Sequence, residues 1–268
     1  MMVKYQCSGI DWAACIEGDG YPVLFLHGFP FDHTMYSAAC APLSGTFRVI
    51  LPDLPGFGES RGAVPEFPAK ISMEEYADML AEFTDRIGER KVVLCGLSMG
   101  GYIAMQFARR HSSRLAGLIL CDTRPIPDTP AAAANRLKLA ETVFLTGAAP
   151  LADQMTPNLL SPESIAGRPE TVRFLKEMIT RQKAPGIAAA ARGMAERGDS
   201  TEFLKTLSVP ALAIGGADDK ISPPEAMKGI ADLIPGCRYV SIPGAGHLPP
   251  LETPALFERE IRSFLEHI

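Results

Sequence analysis

The chain has 268 residues, of which 47% are hydrophobic and 21% charged, a composition typical of a globular protein with a large core. Its formal net charge of −5 provides no basic field for nucleic acid or anionic lipid, so neither is expected as a partner. No apolar run approaches the length of a membrane span, and no signal peptide is visible. Six scattered cysteines predict reduced thiols, a cytoplasmic location and no structural metal site.

The hydrophobic pattern predicts a mostly parallel sheet flanked by helices, which is an α/β fold. Uninterrupted apolar strands that alternate with helical stretches are typical of a sheet covered on both faces. The first two strands are expected to be antiparallel, with a turn at Ser8-Gly9. The eight predicted strands lie near residues 3–7, 10–16, 22–26, 47–51, 92–95, 115–121, 209–214 and 238–242.

A helical segment interrupts the predicted sheet after its sixth strand. From Arg124 to about Leu207 the sequence is Ala-rich, lacks a buried-strand pattern, and has prolines where helices begin. Because the strand pattern resumes directly afterwards, we interpret this segment as an inserted cap rather than a separate domain. The predicted organisation is the first part of the core at 1–123, a helical cap or lid at 124–207, and the second part of the core at 208–268.

The strongest chemical signal lies between Lys91 and His111. A buried strand leads into Gly96-Leu97-Ser98-Met99-Gly100, and a helical pattern follows. A G-x-S-x-G between a strand and a helix is typical of a nucleophile elbow, a strained turn that presents a serine hydroxyl at the edge of the sheet. Gly96 and Gly100 are expected to leave space where a Cβ would collide. Ser98 is therefore the predicted nucleophile, and the alternative is a glycine-rich turn without a catalytic role.

A nucleophilic serine needs a base and a carboxylate that orients the base. Among the five histidines, His247 lies in a glycine-rich loop directly after the last predicted strand, at the edge where catalytic groups of open α/β sheets gather. His247 is the predicted general base. Three aspartates that follow predicted strands are candidates for the acid: Asp218, Asp219 and Asp122.

Five segments of the sequence resemble the α/β-hydrolase fold superfamily, specifically capped serine hydrolases of the esterase, enol-lactonase and cofactor-free perhydrolase type. They are HGFP, PDLPGFGES, GLSMGG, the G-x-x-D-x-x-x-P of Gly216 to Pro223, and GAGHLPPLETP. The resemblance spans nearly the whole core and thins out in the cap. It implies the α/β-hydrolase fold, places the acid on Asp219, and assigns the oxyanion hole to the backbone N–H groups of Phe29 and Met99. No cofactor and no metal are expected.

The predicted reaction is the hydrolysis of a carboxylic ester through an acyl-enzyme, which describes a carboxylesterase acting on a small molecule. Phe29, Phe31 and Leu248 are the predicted pocket residues, and their apolar side chains favour a small or medium uncharged acyl group over a strongly ionic substrate. Arg124, at the start of the cap, is the one basic residue that the sequence places near the pocket mouth.

Three alternatives stay open at this point. A lactonase such as 3-oxoadipate enol-lactonase needs the same triad together with a cation for a carboxylate, and a perhydrolase differs only in accepting peroxide instead of water. A ligand receptor of the hydrolase fold is the alternative from a different functional class. The sequence does not determine the oligomeric state.

Overall fold

The computed structural model describes residues 2–60 and 67–268. Within them, one sheet contains β1 Met2–Cys7, β2 Ile10–Glu17, β3 Tyr21–Leu26, β4 Phe47–Pro52, β5 Val92–Leu97, β6 Leu115–Cys121, β7 Ala211–Gly216 and β8 Arg238–Ile242. The strand order is β1-β2-β4-β3-β5-β6-β7-β8. Among the described strands, β2 pairs antiparallel with both of its neighbours, and every other pairing is parallel. The predicted mostly parallel, eight-stranded α/β-hydrolase fold is confirmed.

The centre of the sheet is hydrophobic throughout. Every residue of β5, β6 and β7 is buried. Because successive side chains of a strand point to opposite faces, complete burial means that both faces of these strands are covered. This explains why their sequences show continuous apolar runs rather than alternation.

Helices fill the connections between the strands. In chain order they are α1 Ser37–Cys40, α2 Met73–Arg86, α3 Met99–Arg110, α4 Pro130–Thr146, α5 Ala149–Leu159, α6 Pro162–Gly167, α7 Pro169–Thr180, α8 Ala184–Ala195, α9 Thr201–Leu204, α10 Pro224–Leu233, α11 Pro249–Glu252 and α12 Pro254–Leu265. The sequence Ser72-Met73-Glu74-Glu75 has the pattern of a capping box at the start of α2, and the structure forms it: Ser72 Oγ accepts from the N–H of Glu75, and the Glu75 carboxylate accepts from the N–H of Ser72. None of the described helices is long and apolar enough to cross a membrane.

The sequence Ser222-Pro223-Pro224-Glu225 also has the pattern of a capping box and predicts a helix start, but this box is not formed. Helix α10 begins at Pro224 with Pro223 as its N-cap, and no side chain caps it. Ser222 is buried in the preceding loop, where its backbone N–H donates to the carboxylate of Asp219. The loop is therefore shaped around that carboxylate rather than around a helix cap.

Helices α4 to α9 form the connection between β6 and β7, and we call them the helical insertion. Inside it, α4 packs on α8 and α5 packs on α7. A buried carboxylate of the core binds the insertion: Asp32 accepts two hydrogen bonds of 2.7 Å from the guanidinium of Arg181 and one of 2.8 Å from the amide of Gln182. Burial would raise the pKa of Asp32, but the hydrogen bonds from Arg181 and Thr34 outweigh it and hold that pKa at about 2.

Candidate active site

Ser98 lies on the tight turn that connects β5 to α3. Its backbone has a φ of 54° and a ψ of −112°, a strained conformation for a residue with a side chain. Hydrogen bonds hold this backbone on both sides: the N–H of Ser98 donates to the carbonyl of Cys121 at 2.9 Å, and its carbonyl accepts from Thr123 Oγ1 at 2.8 Å. The surrounding structure therefore fixes the strained turn and leaves the serine side chain partly exposed.

Two glycines allow this turn to form, as the sequence predicts. A Cβ on Gly96 would lie 2.2 Å from the carbonyl oxygen of Gly100, and a Cβ on Gly100 would lie 2.3 Å from the carbonyl oxygen of Leu26. In both cases the obstacle is backbone, which cannot move aside as a flexible side chain could. The first turn of α3 consequently packs directly against the end of β3.

The structure places His247 and Asp219 in direct contact at the carboxyl ends of β8 and β7. His247 Nδ1 lies 2.8 Å from Asp219 Oδ2, and both side chains are almost completely buried. The backbone N–H of His247 donates to the carbonyl of Leu159 in the helical insertion at 2.9 Å, which fixes the loop. Within the described residues no hydrogen bond joins the Ser98 hydroxyl to the imidazole, a contact that commonly tightens only when a substrate binds.

The environment of Asp219 keeps its carboxylate charged. Burial raises the pKa of Asp219, but the neighbouring imidazole of His247 and the backbone N–H groups of Ile221 and Ser222 lower it by more, so the pKa lies below its usual value. A charged carboxylate on Nδ1 holds the imidazole in the tautomer that leaves Nε2 as the proton acceptor.

The other two candidate acids occupy different positions. Asp218 is exposed to solvent. Asp122 is fully buried, accepts a hydrogen bond from the N–H of Gly216 at 2.8 Å, and has a carboxylate oxygen within 4.8 Å of side-chain ligand atoms of both Asp219 and His247. Burial and the adjacent charge of Asp219 raise the pKa of Asp122 well above its usual value, which favours the protonated form of this carboxyl group. Of the three aspartates, Asp219 is the one hydrogen-bonded to the imidazole.

The two amides that are predicted to form the oxyanion hole belong to Phe29, in the segment after β3, and to Met99, at the start of α3. Neither the N–H of Phe29 nor that of Met99 donates a hydrogen bond to another described residue. Met99 is the first residue of α3, where the helix geometry leaves the amide unpaired. Met99 directly follows Ser98, and unpaired amides of this kind are able to donate to an oxygen that gains negative charge.

Two further polar residues of the core hold loops in place. His27 is fully buried; its Nε2 accepts from the N–H of Leu54, and its Nδ1 donates to the carbonyl of Gly28. Burial lowers the pKa of His27, so the ring is neutral. The buried carboxylate of Asp53 accepts hydrogen bonds from His33 and from the N–H of Glu59.

A cavity of about 680 Å³ lies between the helical insertion and the core. Its core side is lined by Phe29, Lys220 and Ile221, whereas Ser98 and His247 are not part of the lining. Of the predicted pocket residues, Phe29 lies in its lining. Phe31 and Leu248 are each only 1% exposed and belong to the core, and the half-buried Arg124 is not part of the lining. The sequence places these residues near the catalytic loops, but the direction of each side chain depends on the tertiary packing.

The lining of this cavity combines apolar and cationic side chains. Its apolar part consists of Phe29, Leu139, Leu151, Met155 and Ile221. Its cations are Arg136, Lys138 and Lys220. None of these three cations was predicted from the sequence as a pocket residue, although Lys220 directly follows the predicted acid and could have been found from that position.

Two clusters of described residues bring three possible metal ligands within 4.8 Å of one another: Asp122 with Asp219 and His247, and Asp32 with His33 and Asp53. In both clusters the groups already bind protein partners, including the imidazole of His247 on Asp219 and the guanidinium of Arg181 on Asp32. We therefore assign a metal to neither cluster.

Comparisons with known proteins agree with this geometry. The sequence profile of a family described as alpha/beta hydrolase fold matches residues 21–254. A thermophilic esterase from Thermogutta terrifontis, solved with malate bound, is 46% identical and has a TM-score of 0.95 over 100% of this chain and 98% of that chain. The pimeloyl-[acyl-carrier protein] methyl ester esterase of Edwardsiella ictaluri is 29% identical over 261 residues, which cover 93% of this chain and 95% of the relative.

A more distant structure extends the fold comparison. The enol-lactonase from Burkholderia xenovorans LB400 is 24% identical, with a TM-score of 0.90 over 98% of this chain and 100% of that chain, and this similarity shows the fold alone. The profile match covers most of the sheet and the whole helical insertion. The chain therefore belongs to the alpha/beta hydrolase fold family, as a hydrolase of the esterase type.

Proposed function

We propose that this protein hydrolyses small carboxylic esters through an acyl-enzyme, with Ser98 as nucleophile, His247 as general base and Asp219 as the orienting acid. The observation that carries the proposal is the buried 2.8 Å hydrogen bond between His247 Nδ1 and Asp219 Oδ2, at the same edge of the sheet as the strained serine. A serine on such a turn, with a base oriented by a carboxylate, has the parts that acyl transfer needs.

In the first step, Ser98 Oγ attacks the ester carbonyl carbon while His247 Nε2 accepts the hydroxyl proton. The carbonyl oxygen becomes an oxyanion, and the N–H groups of Phe29 and Met99 donate hydrogen bonds to it. The charge of Asp219 stabilises the imidazolium that forms. The bond between the carbonyl carbon and the alcohol oxygen then breaks, the imidazolium returns its proton to the leaving alcohol, and the acyl group stays on Ser98.

In the second step, water replaces the alcohol. His247 removes a proton from the water as its oxygen attacks the acyl carbon, and the same two amides bind the second oxyanion. The bond from the acyl carbon to Ser98 Oγ breaks, and the proton returns from the imidazolium to the serine. The products are one acid and one alcohol, and the protein regains its starting state.

The relatives support an ester as the substrate. The relative with 46% identity is named as an esterase and binds malate, and the relative with 29% identity is named for a methyl ester. We propose further that residues 124–207 act as the cap, because their helices form one wall of the cavity beside Phe29. The six cysteines carry free thiols, which supports a cytoplasmic location.

The test is steady-state hydrolysis of p-nitrophenyl acetate. Ser98→Ala is expected to lower kcat by roughly 10⁶-fold, as loss of the nucleophile does in comparable triads. Ser113→Ala, an exposed serine on the loop before β6, serves as the matched control and is expected to match the unmodified protein. Full turnover by the Ser98→Ala protein, with an unchanged melting temperature, would contradict the mechanism.

The same experiment separates the alternatives. A ligand receptor of this fold would release at most one p-nitrophenolate per protein molecule, because its acyl-enzyme would not turn over. A lactone is an internal ester and can acylate Ser98 in the first step. Hydrogen peroxide can replace water in the second step. A panel of short esters, lactones and acetate with peroxide, compared by kcat/KM, identifies which reaction the site favours.

A further inference from the structure

We propose that the cavity beside Phe29 binds a carboxylate of the substrate through Lys138 and Lys220, so that the preferred ester carries a negative charge away from its scissile bond. The substrate class is the monoester of a short dicarboxylic acid. The position of the ester bond rests on the proposed function, whereas carboxylate binding can be measured without turnover.

The core side of the cavity lies next to the candidate catalytic groups. Phe29, whose N–H is a predicted oxyanion donor, lies in its lining, and so does Ile221, whose N–H donates to the Asp219 carboxylate at 2.7 Å. A substrate with its carbonyl at Ser98 therefore extends its other end into this space. The volume of about 680 Å³ is of the size that small-molecule sites commonly have.

The charged side chains that the structure describes in the lining are all cationic. Lys138 and Lys220 form no ion pair with any described residue. Arg136 pairs with Asp128, a carboxylate that also binds Arg197. Among the described residues no aspartate or glutamate lines the cavity, although the chain has 31 acidic and 26 basic residues. In an acidic protein, a pocket whose described charged side chains are all cationic attracts anions.

The two lysines approach the cavity from opposite walls. Lys138 is on α4 of the helical insertion, and Lys220 is on the core loop after β7. A carboxylate between them can accept from both ammonium groups, and the side-chain amides of Asn135, Gln154 and Asn158 line the same space.

The apolar part of the lining explains why the anion is carried on a short alkyl chain. Leu139, Leu151 and Met155 line the insertion side of the cavity, and Phe29 and Ile221 line its core side. Methylene groups between ester and carboxylate would bury apolar surface against these side chains. Monomethyl succinate, glutarate and adipate combine a methyl ester, such a chain and one carboxylate.

The first test measures binding by calorimetry in the Ser98→Ala background, where no ester is consumed. Monomethyl glutarate is expected to bind more tightly than dimethyl glutarate, which has the same chain without the charge. Adding Lys138→Gln and Lys220→Gln is expected to weaken monomethyl glutarate binding about 10-fold, the loss expected for removing charge-assisted hydrogen bonds. Lys91→Gln, at the amino end of β5 and away from the cavity, is the matched control and is expected to have no effect.

The second test measures turnover with Ser98 restored. The ratio of kcat/KM for the monomethyl ester to that for the dimethyl ester is expected to fall about 10-fold in the double lysine variant, through KM rather than kcat. An unchanged ratio, or equal binding of both esters to the Ser98→Ala protein, overturns the anion site. Absence of turnover in the unmodified protein, with charge-dependent binding intact, overturns the proposed function and leaves the anion site supported.

Discussion

The core edge and the helical insertion contribute to the same site in different ways. At the core edge, Ser98 is held on a strained turn by hydrogen bonds to Cys121 and Thr123 at the end of β6, and His247 and Asp219 are buried against each other. In the insertion, Lys138 is exposed and Leu139 is half-buried on a helix surface. Substitution of a buried, hydrogen-bonded core group is expected to disturb the turn or loop that holds it. Substitution of a side chain on the surface of the insertion is expected to leave the backbone unchanged.

We therefore expect the core edge to determine the reaction and the insertion to determine substrate selectivity. Substitutions at the core edge are expected to change whether the reaction occurs, because the catalytic geometry depends on each buried hydrogen bond. Substitutions in the insertion are expected to change which substrate reacts, because they alter the lining of the cavity. Variants chosen in pairs can test this division.

Among these paired variants, the largest change in kcat is expected within the core, at the two buried aspartates near the imidazole of His247. Asp219→Asn is expected to lower kcat by roughly 10⁴-fold, because an amide at this position favours the wrong tautomer of His247. Asp122→Asn is expected to cost less than about 10-fold, because the imidazole is hydrogen-bonded to Asp219 instead and an amide oxygen can still accept from Gly216. Steady-state kinetics on p-nitrophenyl acetate measures both values.

The outcome of this pair assigns the acid directly. A larger loss in Asp122→Asn than in Asp219→Asn would move the acid role to the strand before the insertion. Comparable losses in both would show that the two carboxyl groups act as one coupled unit.

An intermediate effect is expected where the two regions meet, at Asp32 and Arg181. The pKa of Asp32 is lowered from 3.8 to about 2, so its interactions stabilise the fold above pH 4 and are lost as the pH falls from about 4 to about 2. Asp32→Asn is expected to lower the free energy of unfolding by about 2 kcal/mol at pH 7, and the difference from the unmodified protein should disappear near pH 2. Urea unfolding at several pH values measures it.

The matched control for this contact is Asp153→Asn. Asp153 also pairs with a cation, Lys176, but its side chain is 73% exposed, so the variant is expected to cost less than about 0.5 kcal/mol. A pH-independent loss in Asp32→Asn would show that packing, rather than the charge of this carboxylate, joins the two regions.

The smallest effect is expected for two leucines on α4. Leu139→Ala removes a side chain that lines the cavity and is expected to raise KM for a short alkyl ester about 10-fold, with little change in kcat. Leu137→Ala makes the same chemical change two residues away, at a side chain that is 44% exposed and not part of the lining. It is expected to leave KM unchanged. A loss of kcat in the Leu139→Ala protein would contradict the division between the two regions.

Much of the core could be predicted from local sequence. Apolar runs and alternation placed all eight strands within a few residues of their bounds. The signal is strongest in β5, β6 and β7, because burial on both faces requires hydrophobic side chains at every position. The spacing of Gly96 and Gly100 around Ser98 predicted the turn, since backbone lies where their Cβ atoms would be. Ser222 failed as a helix cap because a tertiary contact with Asp219 shapes that loop instead.

The candidate site, like the core, was predicted from the sequence only in part. The sequence by itself determined which residue types lie at the ends of neighbouring strands, because the carboxyl ends of parallel strands meet at one edge. Only the tertiary structure decided that the imidazole pairs with Asp219 rather than Asp122 or Asp218, that Phe31 turns into the core, and that Lys220 faces the cavity. Those outcomes depend on how the helical insertion packs over the sheet, and contacts between segments distant in the chain have no local pattern from which to be predicted.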